Sequence, residues 1–202
     1  SNPKAFCSGA DLKERLQMTE EKVVQTLDKL KLLMDVLDDF PVPTIAVIEG
    51  LAFGGGLELA LACDLRIAHP VSNMGLTEVN LGIIPGAGGT QRLSRIVGEA
   101  KAKKMIFLGE KMTGEKAFAE GLIHDISVDP WKKAQSWAEE LVQKGPLALR
   151  MAKEAIASGR DIPLRDAVDV ERGCYMRLLG SKDRTEGLKA FMEKRPPVYT
   201  GD

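Results

Sequence analysis

The sequence predicts an α/β fold: a body in which strands and helices alternate, followed by an all-helical tail. Three observations carry that prediction. Pro43 to Ile48 is a β-branched run bounded by prolines and reads as a buried strand. Gly54, Gly55 and Gly56 then hand over to Leu57–Ala62, strong helix formers that are apolar nearly all round, which marks a helix inside a core. Beyond Pro130 every patterned segment is helical, over 131–143, 146–158, 163–179 and 182–194. The chain therefore divides into 1–130 and 131–202.

Taken in order, Ala5 to Asp11 looks like a strand end entering a turn of small residues, and Leu12 to Arg15 begins a short helical turn. Thr19 is a fair N-cap for a helix with apolar positions Val23, Leu27, Leu30, Leu33, Met34 and Leu37, ending before Pro41. After the glycine run and core helix, Leu65–Ala68 forms a second strand. Residues 73–90 read as a short extended piece and then a glycine-rich loop containing Pro85. Helices over 90–97 and 100–108 are divided at Gly98. Thr113 to Gly121 is a short helix with a threonine cap and a glycine stop, feeding a strand over Leu122 to Ser127.

Composition narrows the function classes. With 28 basic and 29 acidic residues the net charge is −1, which leaves no electrostatic footprint for nucleic acid or an anionic membrane. Cys7, Cys63 and Cys174 have neither metal-ligand spacing nor an even-numbered disulfide framework, which favours a reducing compartment. No apolar run approaches the roughly 20 residues of a membrane span. The chain opens abruptly at Ser1-Asn2-Pro3, and we expect an upstream portion to be missing.

The common catalytic motifs fail. Gly86 to Gln91 begins like a dinucleotide fingerprint but has Gln91 where the last glycine belongs. Gly109 to Gly114 has P-loop spacing, yet Glu115 replaces the lysine. Phe6 occupies the first position of a would-be nucleophile elbow around Ser8. The two histidines, His69 and His124, sit beside strand ends and read as structural, against triad or histidine–metal chemistry.

Two glutamates remain. Glu58 lies on the apolar helix, where a carboxylate is costly to bury; its simpler reading is a partner for an arginine such as Arg66 or Arg92. Glu78 lies among Met74, Leu76, Val79 and Leu81; its simpler reading is an exposed strand edge. Should both meet in one cavity, the pair suits general acid–base chemistry on water. The Gly55 N–H, at a helix N-terminus, would supply one arm of an oxyanion hole. The turn at Gly9-Ala10-Asp11 is the best candidate for the second.

Four stretches carry a resemblance: Lys4 to Glu14, Gly50 to Glu58, Met74 to Glu78 with Leu81 to Leu93, and Ala190 to Pro197. In that order they resemble the crotonase (enoyl-CoA hydratase/isomerase) superfamily over essentially the whole chain. The Leu57 to Asp64 run and the Glu193 to Tyr199 ending are most similar to the branch that holds methylglutaconyl-CoA hydratase, the AU-rich-RNA-binding homologue.

The resemblance implies a spiral of ββα turns as the core over 1–130, with its N-terminal part missing, and a helical region over 131–202 for capping coenzyme A and for forming a homotrimer or dimer of trimers. It implies Ala10 and Gly55 as the two N–H donors to the thioester oxygen. Glu58 and Glu78 match the paired carboxylates of hydratases, base and acid respectively. Ser8, Gly9, Asp11, Gly54 and Gly86 match substrate-binding positions, and Phe191 and Lys194 match residues reaching the nucleotide of a neighbouring subunit's coenzyme A. The expected reaction is addition of water to a 2-enoyl-CoA thioester, with no metal and no cofactor beyond the coenzyme A of the substrate. Methylglutaconyl-CoA hydration with RNA binding, isomerisation and an inactive truncated subunit are the alternatives. For RNA the only basic stripe is Arg92, Arg95, Lys101, Lys103 and Lys104, which reads as a solvated helix face, so no nucleic-acid or membrane partner is expected. A bacterial cytoplasm is the favoured compartment and a mitochondrial matrix the alternative.

Overall fold

The structure, a computed structural model, describes residues 5–202; Lys4, which opens the first of the four stretches, lies outside them. The chain divides into two units. The first comprises the described residues up to Asp38 together with Thr44–Ala134, and the second comprises Asp39–Pro43 and Gln135–Asp202. The boundary expected at 130 falls instead inside a helix, Pro130–Leu141, and the proline-rich Asp39–Pro43 groups with the second unit.

In chain order the first unit contains β1 (Ala5–Cys7), α1 (Leu12–Gln17), α2 (Glu20–Asp38), β2 (Ile45–Ile48), β3 (Leu51–Phe53), α3 (Gly55–Ala62), β4 (Leu65–Ala68) and β5 (Asn73–Gly75). A 3₁₀ turn (Glu78–Leu81) follows, then α4 (Gly89–Val97), α5 (Glu99–Phe107), β6 (Met112–Thr113), α6 (Gly114–Ala119), β7 (Asp125–Ile126) and the start of α7 (Pro130–Leu141). The strands form two sheets, ordered β1-β3-β5-β6 and β2-β4-β7. All pairings are parallel except β5 with β6. The chain steps from one sheet to the other and then closes through helices: β2, β3, α3, then β4, β5, α4 and α5. This is the spiral of ββα turns.

Three expectations need correction. The glycine run follows not β2 but β3, a three-residue strand in the other sheet, reached by a turn at Glu49-Gly50. Leu51 to Phe53 was too short to register as a periodic pattern. The strand expected over Leu122 to Ser127 is reduced to Asp125–Ile126, because Leu122 and Ile123 are turned into the core instead of extending the ladder. The supposed loop after β5 contains the 3₁₀ turn that starts at Glu78.

The core explains the arrangement. Along β2 buried Ala46 and Ile48 alternate with half-buried Ile45 and Val47, the two-residue period of a strand. Six of the eight residues of α3 are buried, so it runs through the core as its composition predicts. Leu57 and Leu61 pack there with Ile48, Met74, Leu76, Leu93 and Leu122; full burial of each such side chain favours the fold by about 1.5–3 kcal/mol. Thr19 caps α2, accepting from Lys22 N–H at 3.3 Å, and α2 places Met34 against Ala62 and Ala87.

The second unit is helical: the rest of α7, then α8 (Pro146–Gly159), α9 (Leu164–Met176) and α10 (Lys182–Glu193). Met151, Cys174 and Ala190 are its buried apolar residues among those described. The C-terminal tail is pinned to the start of α10, where the Asp183 carboxylate accepts from Thr200 N–H at 2.7 Å and Gly201 N–H at 2.9 Å.

The close packing of α3 on β1 depends on Gly56, since a Cβ there would overlap the carbonyl oxygen of Cys7. Gly56→Ala should therefore cost about 1–3 kcal/mol, the range for overpacking. Urea unfolding would read this, and an unchanged midpoint would show that β1 can move aside.

Candidate active site

The site assembles at the N-terminal end of α3. As the first residue of that helix, Gly55 has no carbonyl within its own helix to bond, which leaves its N–H for an outside acceptor at the positive end of the helix. Gly9 lies directly against it. A Cβ on Gly9 would sit 3.3 Å from the Gly55 nitrogen and 2.9 Å from the Phe53 carbonyl oxygen, and its φ of +86° is one that side-chain-bearing residues rarely adopt. Both facts require glycine, and together they bring the Gly9-Ala10 turn beside Gly55.

Glu58 is 3% exposed. It pairs with neither arginine named above. Its Oε1 accepts the Ala87 N–H at 2.8 Å and the Gly89 N–H at 2.7 Å, the latter being the first residue of α4. A carboxylate at a helix N-terminus, bonded by two amides, is compensated for its burial. Its Oε2 has no hydrogen bond among the described residues. Arg66 instead donates to the carbonyls of Leu122, Ala60 and Cys63, at 2.9, 3.4 and 2.7 Å, closing the C-terminal end of α3. Both histidines accept backbone N–H groups: His124 Nδ1 that of Arg66 at 3.0 Å, His69 Nδ1 that of Val71 at 3.3 Å.

Glu78 is not on a strand edge. It begins the 3₁₀ turn, half-buried, with its Oε1 so placed that a Cβ on Gly54 would lie 3.2 Å away. Its Oε2 is buried and has no hydrogen-bond partner among the described residues. Burial above all, and the nearby Glu58 charge, push the Glu78 carboxyl above the usual carboxylate range; its own backbone N–H and Arg15 pull the other way. An oxygen without a partner, on a carboxyl whose burial raises its proton affinity, is suited to passing a proton to something bound in front of it.

The other predicted positions divide by unit. Gly54 caps α3, and Gly86 precedes α4, with Leu27 of α2 lying where its Cβ would be. Ser8 is exposed at the end of β1. The Asp11 side chain is used locally: it caps α1, accepting from Lys13 N–H at 2.8 Å. Phe191, 85% exposed, and Lys194, the residue that ends α10, belong to the second unit. A cavity of about 340 Å³ in that unit, lined by Tyr175, Leu178 and Tyr199 among others, contains neither glutamate. The residues that sequence reasoning missed are Ala87 and Gly89. The signal was present, since glycines opening a helix expose N–H groups to an anion; here the anion is a side chain of the same protein.

Residues 1–202 match the family described as enoyl-CoA hydratase/isomerase. The chain belongs to that family. An enoyl-CoA isomerase/hydratase of Mycosarcoma maydis is 48% identical over 204 residues, covering 100% of this chain and 74% of its own. The mitochondrial methylglutaconyl-CoA hydratase of Rattus norvegicus is 47% identical over 206 residues, covering 99% of this chain and 65% of its own. Among solved structures, an enoyl-CoA hydratase from Bacillus anthracis superposes with a TM-score of 0.97 at 45% identity, over 100% of this chain and 79% of that one. The chain thus spans about two thirds to four fifths of these relatives' lengths. Relatives include both bacterial and mitochondrial proteins, and among the described residues no helix is long and apolar enough to cross a membrane.

The raised pKa of Glu78 sets a pH dependence of stability. A carboxyl whose folded pKa exceeds its unfolded one favours the fold fully below the unfolded value and loses that contribution as pH rises through the folded value. Glu78→Gln keeps the shape without the charge. It should raise the melting temperature more at about pH 8 than at about pH 5, and a gap that does not widen with pH would remove burial of Glu78 as a cost.

Proposed function

We propose that the protein hydrates 2-enoyl-CoA thioesters, and that Glu58 and Glu78 act on the water and the α-carbon. The observation that carries this reading is the unlike environment of the two carboxyls: Glu58 held by two amides at the start of α4, Glu78 half-buried beside Gly54 with an oxygen that has no partner among the described residues. In the reaction Glu58 takes a proton from water as the oxygen bonds to the β-carbon. The π pair of the double bond moves towards the thioester, whose oxygen becomes an enolate held by the N–H groups of Gly55 and Ala10. Glu78 then delivers its proton to the α-carbon, giving the 3-hydroxyacyl thioester, and the two carboxyls return to their starting states by exchange with solvent. Ser8, Gly9, Gly54 and Gly86 line the thioester and water positions, and Asp11 contributes through its backbone because its carboxylate is committed to α1. In a homotrimer or a dimer of trimers, Phe191 and Lys194 reach the coenzyme A of a neighbouring subunit.

The basic stripe weighs little towards RNA as a partner. Lys101 lies 3.0 Å from Glu120 and Lys103 lies 2.5 Å from Glu99, while Arg92 faces Asp35 and Asp38.

Mixing the protein with crotonyl-CoA, then with 3-methylglutaconyl-CoA, should abolish the absorbance of the conjugated thioester, and the ratio of rates assigns the acyl preference. Glu58→Gln and Glu78→Gln should each cut turnover at least about a hundredfold while thioester binding persists. Near-normal turnover in either variant takes that glutamate out of the mechanism. A folded wild-type protein inert towards both thioesters overturns the proposal.

A further inference from the structure

The amides that hold Glu58 are themselves held. Arg92, one turn into α4, donates from Nη1 to the Ala87 carbonyl at 3.2 Å, and its Nη2 lies 3.4 Å from both Asp35 Oδ1 and Asp38 Oδ2. A Cβ on Gly88 would overlap Nη1, so the guanidinium rests directly on the bare Cα between the two amides that grip Glu58. The backbone closes the same loop, since Arg92 N–H donates to the Gly88 carbonyl at 2.8 Å.

The arginine end of this ion pair is sheltered. The Arg92 side chain is 14% exposed, against 40% and 29% for those of Asp35 and Asp38, and its Nε is buried without a hydrogen-bond partner among the described residues. An unpaired buried donor is unfavourable, so the fork is kept in place by what its other two nitrogens reach. Those contacts join two elements. Asp35 and Asp38 lie on α2, the helix that also sets Leu27 against Gly86 and Met34 against Ala87. The 86–89 loop is therefore squeezed between α2 and α4, with Arg92 as the clasp.

We propose that Arg92, backed by Asp35 and Asp38, is a positioning residue for Glu58. It touches neither substrate nor water. It fixes the peptide planes of Ala87 to Gly89, whose N–H groups point the Glu58 carboxylate and leave Oε2 for the reaction. The inference rests on the hydration reading for its kinetic consequence, but not for its geometric one. Planarity matters: a lysine supplies the charge and lacks the fork that spans a carbonyl and two carboxylates.

The test uses the full protein with Arg92→Met, Arg92→Lys and, in case these fold poorly, Asp35→Asn combined with Asp38→Asn. With crotonyl-CoA the arginine variants should lose about tenfold to a hundredfold in kcat with KM within about twofold, the size of a small misplacement of a reacting group. Combining Arg92→Met with Glu58→Gln should cost no more than Glu58→Gln alone, because both act through one carboxylate. A loss that multiplies with that of Glu58→Gln overturns the proposal. Hydrogen exchange gives a readout independent of activity: the Ala87 and Gly89 amides should exchange faster in Arg92→Met, as in Glu58→Gln. Unchanged exchange there overturns the proposal even if the protein hydrates nothing, whereas faster exchange without any hydratase activity supports the clasp and counts only against the reaction assigned to it.

Discussion

The hydrogen bonds from the amides of Ala87 and Gly89 to Glu58 are the constraint on which the rest of the first unit depends. They let a carboxylate lie on a helix whose other buried residues are apolar, and they tie α3 to the N-terminus of α4. Without them Glu58 would be a buried charge with no partner, and the core helix would carry a penalty of several kcal/mol. The rest of the packing serves the same junction. β1 comes close enough to require Gly56, the turn after it requires Gly9, and α2 closes over the far side of the 86–89 loop.

Where the sequence could be read and where it could not follows from the range of the interactions. The long α2 and the C-terminal helices were legible because their apolar spacing repeats over several turns, and the core helix because it is apolar nearly all round. Strands β3 and β6, of three and two residues, were not, and of the strand expected over Leu122 to Ser127 only Asp125–Ile126 formed. They are strands only because a neighbouring strand lies alongside, and no local pattern encodes a partner that far away in the chain: 22 residues for Leu51 with Asn73, 38 for Met74 with Met112 and 58 for Ile67 with Asp125. In the site the same division holds. Glu58 and Gly55 share one helix, so their relation was visible from spacing alone. The partner of Glu58 was not, and an arginine was the natural expectation for a buried carboxylate. The fold uses amides instead, 29 and 31 residues further on, and spends the arginine on holding the loop that carries them.

That choice separates the two carboxyls chemically. An arginine in contact with Glu58 would place a full positive charge within the site and would lower the proton affinity of Glu78 as well. Amides supply partial charges aimed at one oxygen instead. Glu78 feels chiefly its burial, opposed by its own backbone N–H, then the repulsion of Glu58 and the opposing charge of Arg15, and its carboxyl is held above its ordinary value. In the proposed reaction Glu58 is the oriented acceptor and Glu78 the donor, the two roles that acid–base work on a single water would require. Moving the positive charge one step outward, to Arg92 between α2 and α4, keeps its ordering effect on the loop while removing it from direct contact with Glu58. In the proposed reading the ion pair is a part of the site's framework, and two carboxyls with amides at helix N-termini are the groups that adding water across a thioester-conjugated double bond would need.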